Sequence, residues 1–147
     1  MMAEGIKGRM AGVWELVKAN FETPDGNKFE PWGPSPTGIA IITADGHYSA
    51  QIMRSGRAKF AGDLPTQEEK QKAYDDYMAY YGYNISIDEE TGTSTNFVEG
   101  ATNANWVGGE QVRYCEMKDD DHMILRTPPF EIARLKLVGT LSWKRRR

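Results

Sequence analysis

Asn105-Trp106-Val107-Gly108-Gly109-Glu110-Gln111-Val112-Arg113 is the stretch on which the fold turns, because it sets amide and guanidinium groups inside an otherwise apolar strand pattern. Outward from it the chain is a run of short alternating segments, back to Gly12-Val13-Trp14 and on to Trp143. Residues two apart on a strand share a face, and a one-residue slip moves the whole set to the other side. Gln111 and Arg113 share parity with Cys115 and Met117, whereas Val112, Tyr114 and Glu116 lie opposite. This places Gln111 and Arg113 inward. Met123, Leu125 and Thr127 form one face of the next strand, and Leu137, Gly139, Leu141 and Trp143 one face of the last. Together they predict an apolar cup with a polar spot in its wall.

The turns between these segments carry their mechanism in their residues. Pro24-Asp25-Gly26-Asn27 ends the first strand, and the three prolines between Pro31 and Gly38 forbid a central strand there. Ala44-Asp45-Gly46 joins Gly38–Thr43 to His47–Arg54 as a hairpin. One helix is expected near residues 65–81, opened by Pro65-Thr66-Gln67-Glu68-Glu69, stopped by Gly82, and carrying Tyr74, Tyr77, Met78 and Tyr81 at spacings of three and four. Strands follow at Tyr83–Ile87, Thr93–Gly100, Glu110–Met117, His122–Arg126 and Ile132–Trp143. The expectation is an all-β fold: a single up-and-down antiparallel barrel of eight or nine strands, since closure removes exposed strand edges. Residues 1–10 read as an arm with one helical turn, 11–143 as the barrel, and Lys144-Arg145-Arg146-Arg147 as a basic, solvated tail or a contact for an anionic partner.

With 147 residues the chain suits one core. A net charge of −3, from 18 basic and 21 acidic residues, argues against a nucleic-acid partner. Cys115 stands alone and no signal-peptide pattern opens the chain, so a cytoplasmic location is expected. No apolar stretch approaches the ~18 residues of a membrane span. His47 and His122 border turns without further ligands at zinc spacing, and Asp119-Asp120-Asp121 lacks the pattern of a calcium loop. With neither a Gly-x-Ser-x-Gly elbow nor a phosphate-cradling glycine loop, no metal and no cofactor is expected. Oligomerisation is left open.

Gly12-Val13-Trp14 matches the Gly-x-Trp signature of lipocalin and calycin barrels. Joined by Gln51-Ile52-Met53-Arg54, Tyr80-Tyr81-Gly82, Val98-Glu99-Gly100, Asn105–Arg113 and Leu125-Arg126-Thr127-Pro128-Pro129, it makes the chain, from about Met10 to Trp143, resemble the small lipocalin-like domain family of bacteria and fungi. The resemblance implies a ligand-holding barrel; related barrels in natural-product pathways are cofactor-free cyclases or isomerases. It would also place a histidine near Asn96, so the asparagine here counts against a mechanism that needs an imidazole at that point.

The expected function is binding of a small hydrophobic molecule in the cup, with cofactor-free cyclisation, isomerisation or dehydration of it. The alternatives are a carrier or sensor using the same cup, and a barrel filled by its own side chains. In the catalytic reading Arg113 and Gln111, with Glu99 and Tyr81, polarise an oxygen or move a proton. Trp14, Gln51, Met53, Tyr83 and Asn96 are candidate ligand contacts, although the parity of Gln51 with Ser49 also fits an exterior position. Trp106 is a rim surface or a plug, and Met117, Leu125, Thr127 and Trp143 complete the wall. A buried guanidinium needs a partner. For Arg113 this is Glu99, the indole of Trp14, or a ligand oxygen; by the lipocalin resemblance, an arginine stacked on the signature tryptophan closes the barrel bottom.

Overall fold

The structure is a computed structural model describing residues 5–147; residues 1–4 of the expected arm lie outside the described residues. A short helix α1 (Ile6–Met10) leads into β1 (Gly12–Glu22), β2 (Lys28–Phe29), β3 (Thr37–Ile42) and β4 (His47–Met53). Helix α2 (Gln67–Asp75) precedes β5 (Tyr77–Asp88) and β6 (Thr93–Ala101), and a 3-10 turn (Ala104–Trp106) precedes β7 (Glu110–Asp119). β8 (His122–Arg126), β9 (Phe130–Ile132) and β10 (Leu135–Arg145) complete the chain.

The strands pair antiparallel in the order β2-β1-β3-β4-β5-β6-β7-β8-β10-β9, and β1 also pairs with β10, from Trp14 opposite Arg145 to Glu22 opposite Val138. Eight strands therefore close into a barrel, with β2 and β9 as two short additions at one end. Every barrel strand thus has two neighbours, which satisfies its backbone without a free edge. No helix of the described chain is long and apolar enough to cross a membrane.

The helix expected near residues 65–81 is present but ends at Asp75. Its start is a capping box: Thr66 Oγ1 accepts from the Glu69 backbone N–H at 3.1 Å, and Glu69 Oε1 accepts from that of Thr66 at 2.9 Å. Its end is fixed by Asp76, whose carboxylate meets Arg54 at 3.1 Å and Lys72 at 2.9 Å and whose carbonyl accepts from the Arg54 N–H. The Tyr-Met-Ala-Tyr-Tyr-Gly-Tyr run that follows fits a period of two as well as it fits a helix. Pairing of Tyr77–Tyr83 with β4 selects the strand, a tertiary choice that local spacing does not contain.

The C-terminal residues also differ from the expected solvated tail. β10 continues through Arg145, and the Arg146 N–H donates to the Val13 carbonyl at 2.8 Å. The Arg145 guanidinium lies 4.3 Å from the Trp14 ring centroid and donates to the carbonyls of Ala11 (2.8 Å) and Arg9 (2.7 Å). Arg145, not Arg113, is therefore the arginine that closes this end over the signature tryptophan. Trp14 Nε1 donates to the Met10 carbonyl at 2.9 Å, so the same cluster holds α1 across the barrel end.

The core runs through the barrel: Trp14, Leu16, Ala19, Trp32, Ala40, Ala50, Ile52, Cys115, Met123 and Trp143 are buried together. Trp32 comes from the proline-rich loop and fills the end opposite α1, where Phe21 meets Trp32, Phe29 and Phe130 at centroid distances of 6.3, 5.6 and 5.7 Å. Gly139 is required there, because a Cβ at that position would stand 2.6 Å from the Phe21 ring.

Candidate functional site

Between the middle of the barrel and α1 the side chains leave a cavity of about 80 Å³. Its apolar wall is Met10, Ala40, Ile42, Ala50, Ile87, Leu125 and the Trp143 ring; its polar wall is Tyr48, Tyr80, Asn84, Ser94, Asn96, Gln111 and Arg113. Lys7 of α1 and Thr43 and Gly46 of the β3–β4 turn border it at the α1 end. That volume is about half of the roughly 150 Å³ of an engineered apolar cavity that takes benzene. A larger guest must move α1 or a wall side chain.

Arg113 sits where its parity predicts. Its Nη1 donates to the Val112 carbonyl at 2.8 Å and its Nη2 to Gln111 Oε1 at 3.1 Å. Both acceptors are neutral, and among the described residues Arg113 forms no ion pair with a carboxylate. With Arg145 holding the barrel bottom, the Arg113 guanidinium has N–H donors beyond the two used in these bonds.

Beside it runs a chain of side-chain amides. Asn84 Nδ2 donates to the carbonyls of Ser86 (3.0 Å) and Thr95 (3.2 Å) and to Asn96 Oδ1 (3.0 Å). Asn96 Nδ2 donates in turn to Ser94 Oγ at 3.1 Å, and Ser94 Oγ to the Arg113 carbonyl at 3.4 Å. Three oxygens around Asn84 Nδ2 fix which end of the amide is nitrogen. Its Oδ1 therefore points the other way, and it is buried without a hydrogen-bond partner. The indole Nε1 of Trp143, a residue only 2% exposed, is buried and unpartnered as well. Both residues line the same cavity.

Tyr48 crosses the wall from β4 and donates its hydroxyl to the Phe97 carbonyl at 3.0 Å. Gly82 makes that crossing possible, because a Cβ there would fall 1.8 Å from the Phe97 oxygen and 2.9 Å from the phenol. Burial is the largest influence on this phenol and pushes its pKa above the usual tyrosine value, so it stays protonated. Among the described residues the wall thus offers a guanidinium, the phenols of Tyr48 and Tyr80, amides, the Ser94 hydroxyl and an indole N–H, with the Lys7 amine at its border, and neither a carboxylate nor an imidazole lines it. Among the described residues no three His, Cys, Asp or Glu side chains gather into a metal cluster.

Of the residues singled out in the sequence, Arg113, Gln111, Asn96, Leu125 and Trp143 line the cavity. Trp14, Met117 and Thr127 are inside but packed in the core, Thr127 Oγ1 accepting from the Gly139 N–H at 2.8 Å. Tyr81 and Glu99 lie on the outer face and are exposed, because Tyr80 and Val98 take the inward positions next to them; neither reaches the cavity. Gln51 is outside and bonds the Tyr77 hydroxyl, Tyr83 stacks outside on Phe97, and Met53 lies beside Arg57 at the strand end. Trp106 is half-buried outside the cavity, its ring edge-on to Tyr80 at 5.7 Å. Tyr48, Tyr80, Asn84, Met10 and Lys7 belong to the site and escape the sequence reading. For Tyr48 a signal existed: it shares parity with the apolar Ala50 and Ile52.

Among curated proteins none matches the chain. Among solved structures, a de novo designed fluorescence-activating β-barrel aligns over 98% of this chain and 100% of its own, at 8% identity and a TM-score of 0.47. A redesigned β-barrel aligns over 96% and 95%, at 10% identity and a TM-score of 0.45. A family model described as a lipocalin-like domain matches residues 11–146, from the start of β1 to the end of β10. The chain belongs to the lipocalin-like domain family.

Proposed function

We propose that this barrel binds a small, largely apolar molecule in the cavity beneath α1 and grips an oxygen of that molecule with Arg113. The observation that carries the reading is a guanidinium inside an apolar cup, bonded only to two neutral oxygens while a different arginine closes the barrel. An uncompensated internal cation is costly unless something answers it, and a ligand carbonyl or carboxylate does so with charge-assisted geometry.

Binding is favoured over proton-transfer chemistry because, among the described residues, no carboxylate or imidazole lines the wall to act as a base. Tyr48 is held protonated, and Glu99 and Tyr81 face solvent. Cofactor-free cyclisation or isomerisation is the second reading, and the observation on its side is Gln111 paired with Arg113. Two fixed donors can polarise a carbonyl and orient a reactive chain without any base in the wall.

The test is native mass spectrometry of the purified protein and of Arg113→Met. Under the binding reading wild type carries a co-purified compound and the variant loses it while keeping its circular dichroism. A folded variant that holds the same compound equally well sinks the role given to Arg113. Conversion of the released compound by fresh wild-type protein decides for the enzyme reading over the carrier.

A further inference from the structure

We infer that the molecule held in this cavity is bifunctional: it carries a hydroxyl or N–H that donates to Asn84 Oδ1, and at its other end an oxygen that accepts from the Trp143 indole N–H. This rests on the binding reading above and specifies its ligand class as a hydroxylated carbonyl or carboxylic compound, as opposed to a plain hydrocarbon chain.

The two atoms are the buried side-chain polar atoms left without a partner among the described residues, and both belong to residues lining one cavity. They are complementary, an acceptor on one side and a donor on the other. Buried polar groups in folded proteins are nearly always satisfied, so each of these occluded atoms calls for a partner, which a guest that shifts the wall side chains would supply. Neither can be removed by rotating an amide, because three oxygens hold Asn84 Nδ2 in place and an indole has a single N–H.

Their placement sets the ligand's two groups on opposite sides of the cup. In the closed order β1-β3-β4-β5-β6-β7-β8-β10, Asn84 on β5 and Trp143 on β10 stand on opposite walls, four strands apart, with Arg113 on β7 between them. A ligand serving both must span the cup with its donor and acceptor at opposite ends. An acidic acceptor end also lies within the field of Arg113, whose side chain borders the same space. The donor end meets an amide locked by its own network, a rigid acceptor that an apolar group would leave unpaired. Sites of that kind discriminate strongly against the analogue that lacks the hydroxyl.

Matched pairs of probes test this: butanoate against 4-hydroxybutanoate, and benzoate against 4-hydroxybenzoate, titrated into full-length protein labelled with ¹⁵N. The chain has four tryptophans, so the indole N–H region is simple, and Trp143→Phe assigns the resonance of interest. The expected result is a shift of the Trp143 indole signal and, in at least one pair, affinity about tenfold higher for the hydroxylated member, as expected of one well-placed buried hydrogen bond. Trp143→Phe weakens both members and leaves their ratio unchanged, whereas Asn84→Ala, if folded, removes the ratio. Equal binding within both pairs, with the Trp143 signal shifting, overturns the bifunctional ligand and leaves the binding reading standing. If no probe moves the Trp143 signal or any other cavity resonance, the binding reading fails with it. A Trp143 signal that reports only contact with water overturns the inference in the same way.

Discussion

The two ends of the barrel are closed by different means. At the end away from α1, the ring of Phe21 packs on those of Trp32, Phe29 and Phe130. At the α1 end Ile6 and Met10 lend some apolar packing, but one short helix is tied down chiefly by polar contacts: Arg145 bonds Arg9 and Ala11, Trp14 bonds Met10, Asp120 pairs with Arg9, and Glu89 accepts from the Ile6 and Lys7 N–H groups. The cavity adjoins the second end. Apolar packing is dispersed over many atoms and has no single weak bond, whereas a few directional bonds can open together and re-form. The aromatic end is therefore expected to stay shut and the helical end to open more readily.

The comparison breaks most visibly at Trp32. It is 7% exposed and sits in the buried cluster, so Trp32→Ala should cost about 3–5 kcal/mol, the usual range for emptying a buried aromatic site. Urea denaturation followed by circular dichroism measures this. A loss below about 1 kcal/mol would mean that the aromatic plug is ornamental and that this end also opens.

Arg145→Met is the matching change at the other end, and a smaller loss is expected. It removes a cation over the Trp14 face and three bonds to carbonyls, of Asp120, Ala11 and Arg9, while the methionine keeps part of the packing, for roughly 2–3 kcal/mol in the same measurement. It should also raise hydrogen exchange in α1 and at the start of β1 while leaving the β9–β10 hairpin unchanged. Equal exchange at both ends would erase the distinction between them.

How far the sequence announced this arrangement depends on register. The inward parity of Gln111, Arg113, Leu125 and Trp143 was legible because β7, β8 and β10 keep strict alternation over those positions. Asn84 was not, because β5 carries irregularities between Tyr81 and Gly82 and between Asn84 and Ser86 opposite β6, each of which shifts side chains between faces. Tyr81 and Glu99 carry chemistry that suits a site, but the inward parity of their neighbours Tyr80 and Val98 puts both outside. Arg145 was hidden differently. Its contact with Trp14 spans the β1–β10 closure, which joins the two ends of the chain, and a run of four basic residues reads locally as a solvated tail. Local pattern reports faces within a strand; it does not report which distant strand completes the ring.

The finest difference between the ends is kinetic, and Cys115 reads it. This thiol lies inside β7 in the cluster against which Ile6 and Met10 pack, and burial pushes its pKa up to about 12. Near pH 8 the closed protein therefore presents almost no thiolate, and alkylation must wait for an opening that restores the ordinary value. Glu89 is exposed, so removing its charge by Glu89→Gln should lower global stability by no more than about 1 kcal/mol. Nearly all of that loss falls on α1, because the Ile6 and Lys7 N–H groups are what the carboxylate holds. Opening of the helical end then rises roughly fivefold, a factor set by that same 1 kcal/mol, and Cys115 alkylation accelerates by the same factor. A conservative change at the aromatic end, Phe29→Leu, should leave the alkylation rate alone. Were Phe29→Leu to speed Cys115 labelling as much as Glu89→Gln does, reagent would be entering by global unfolding or through the plug, and α1 would not be the door.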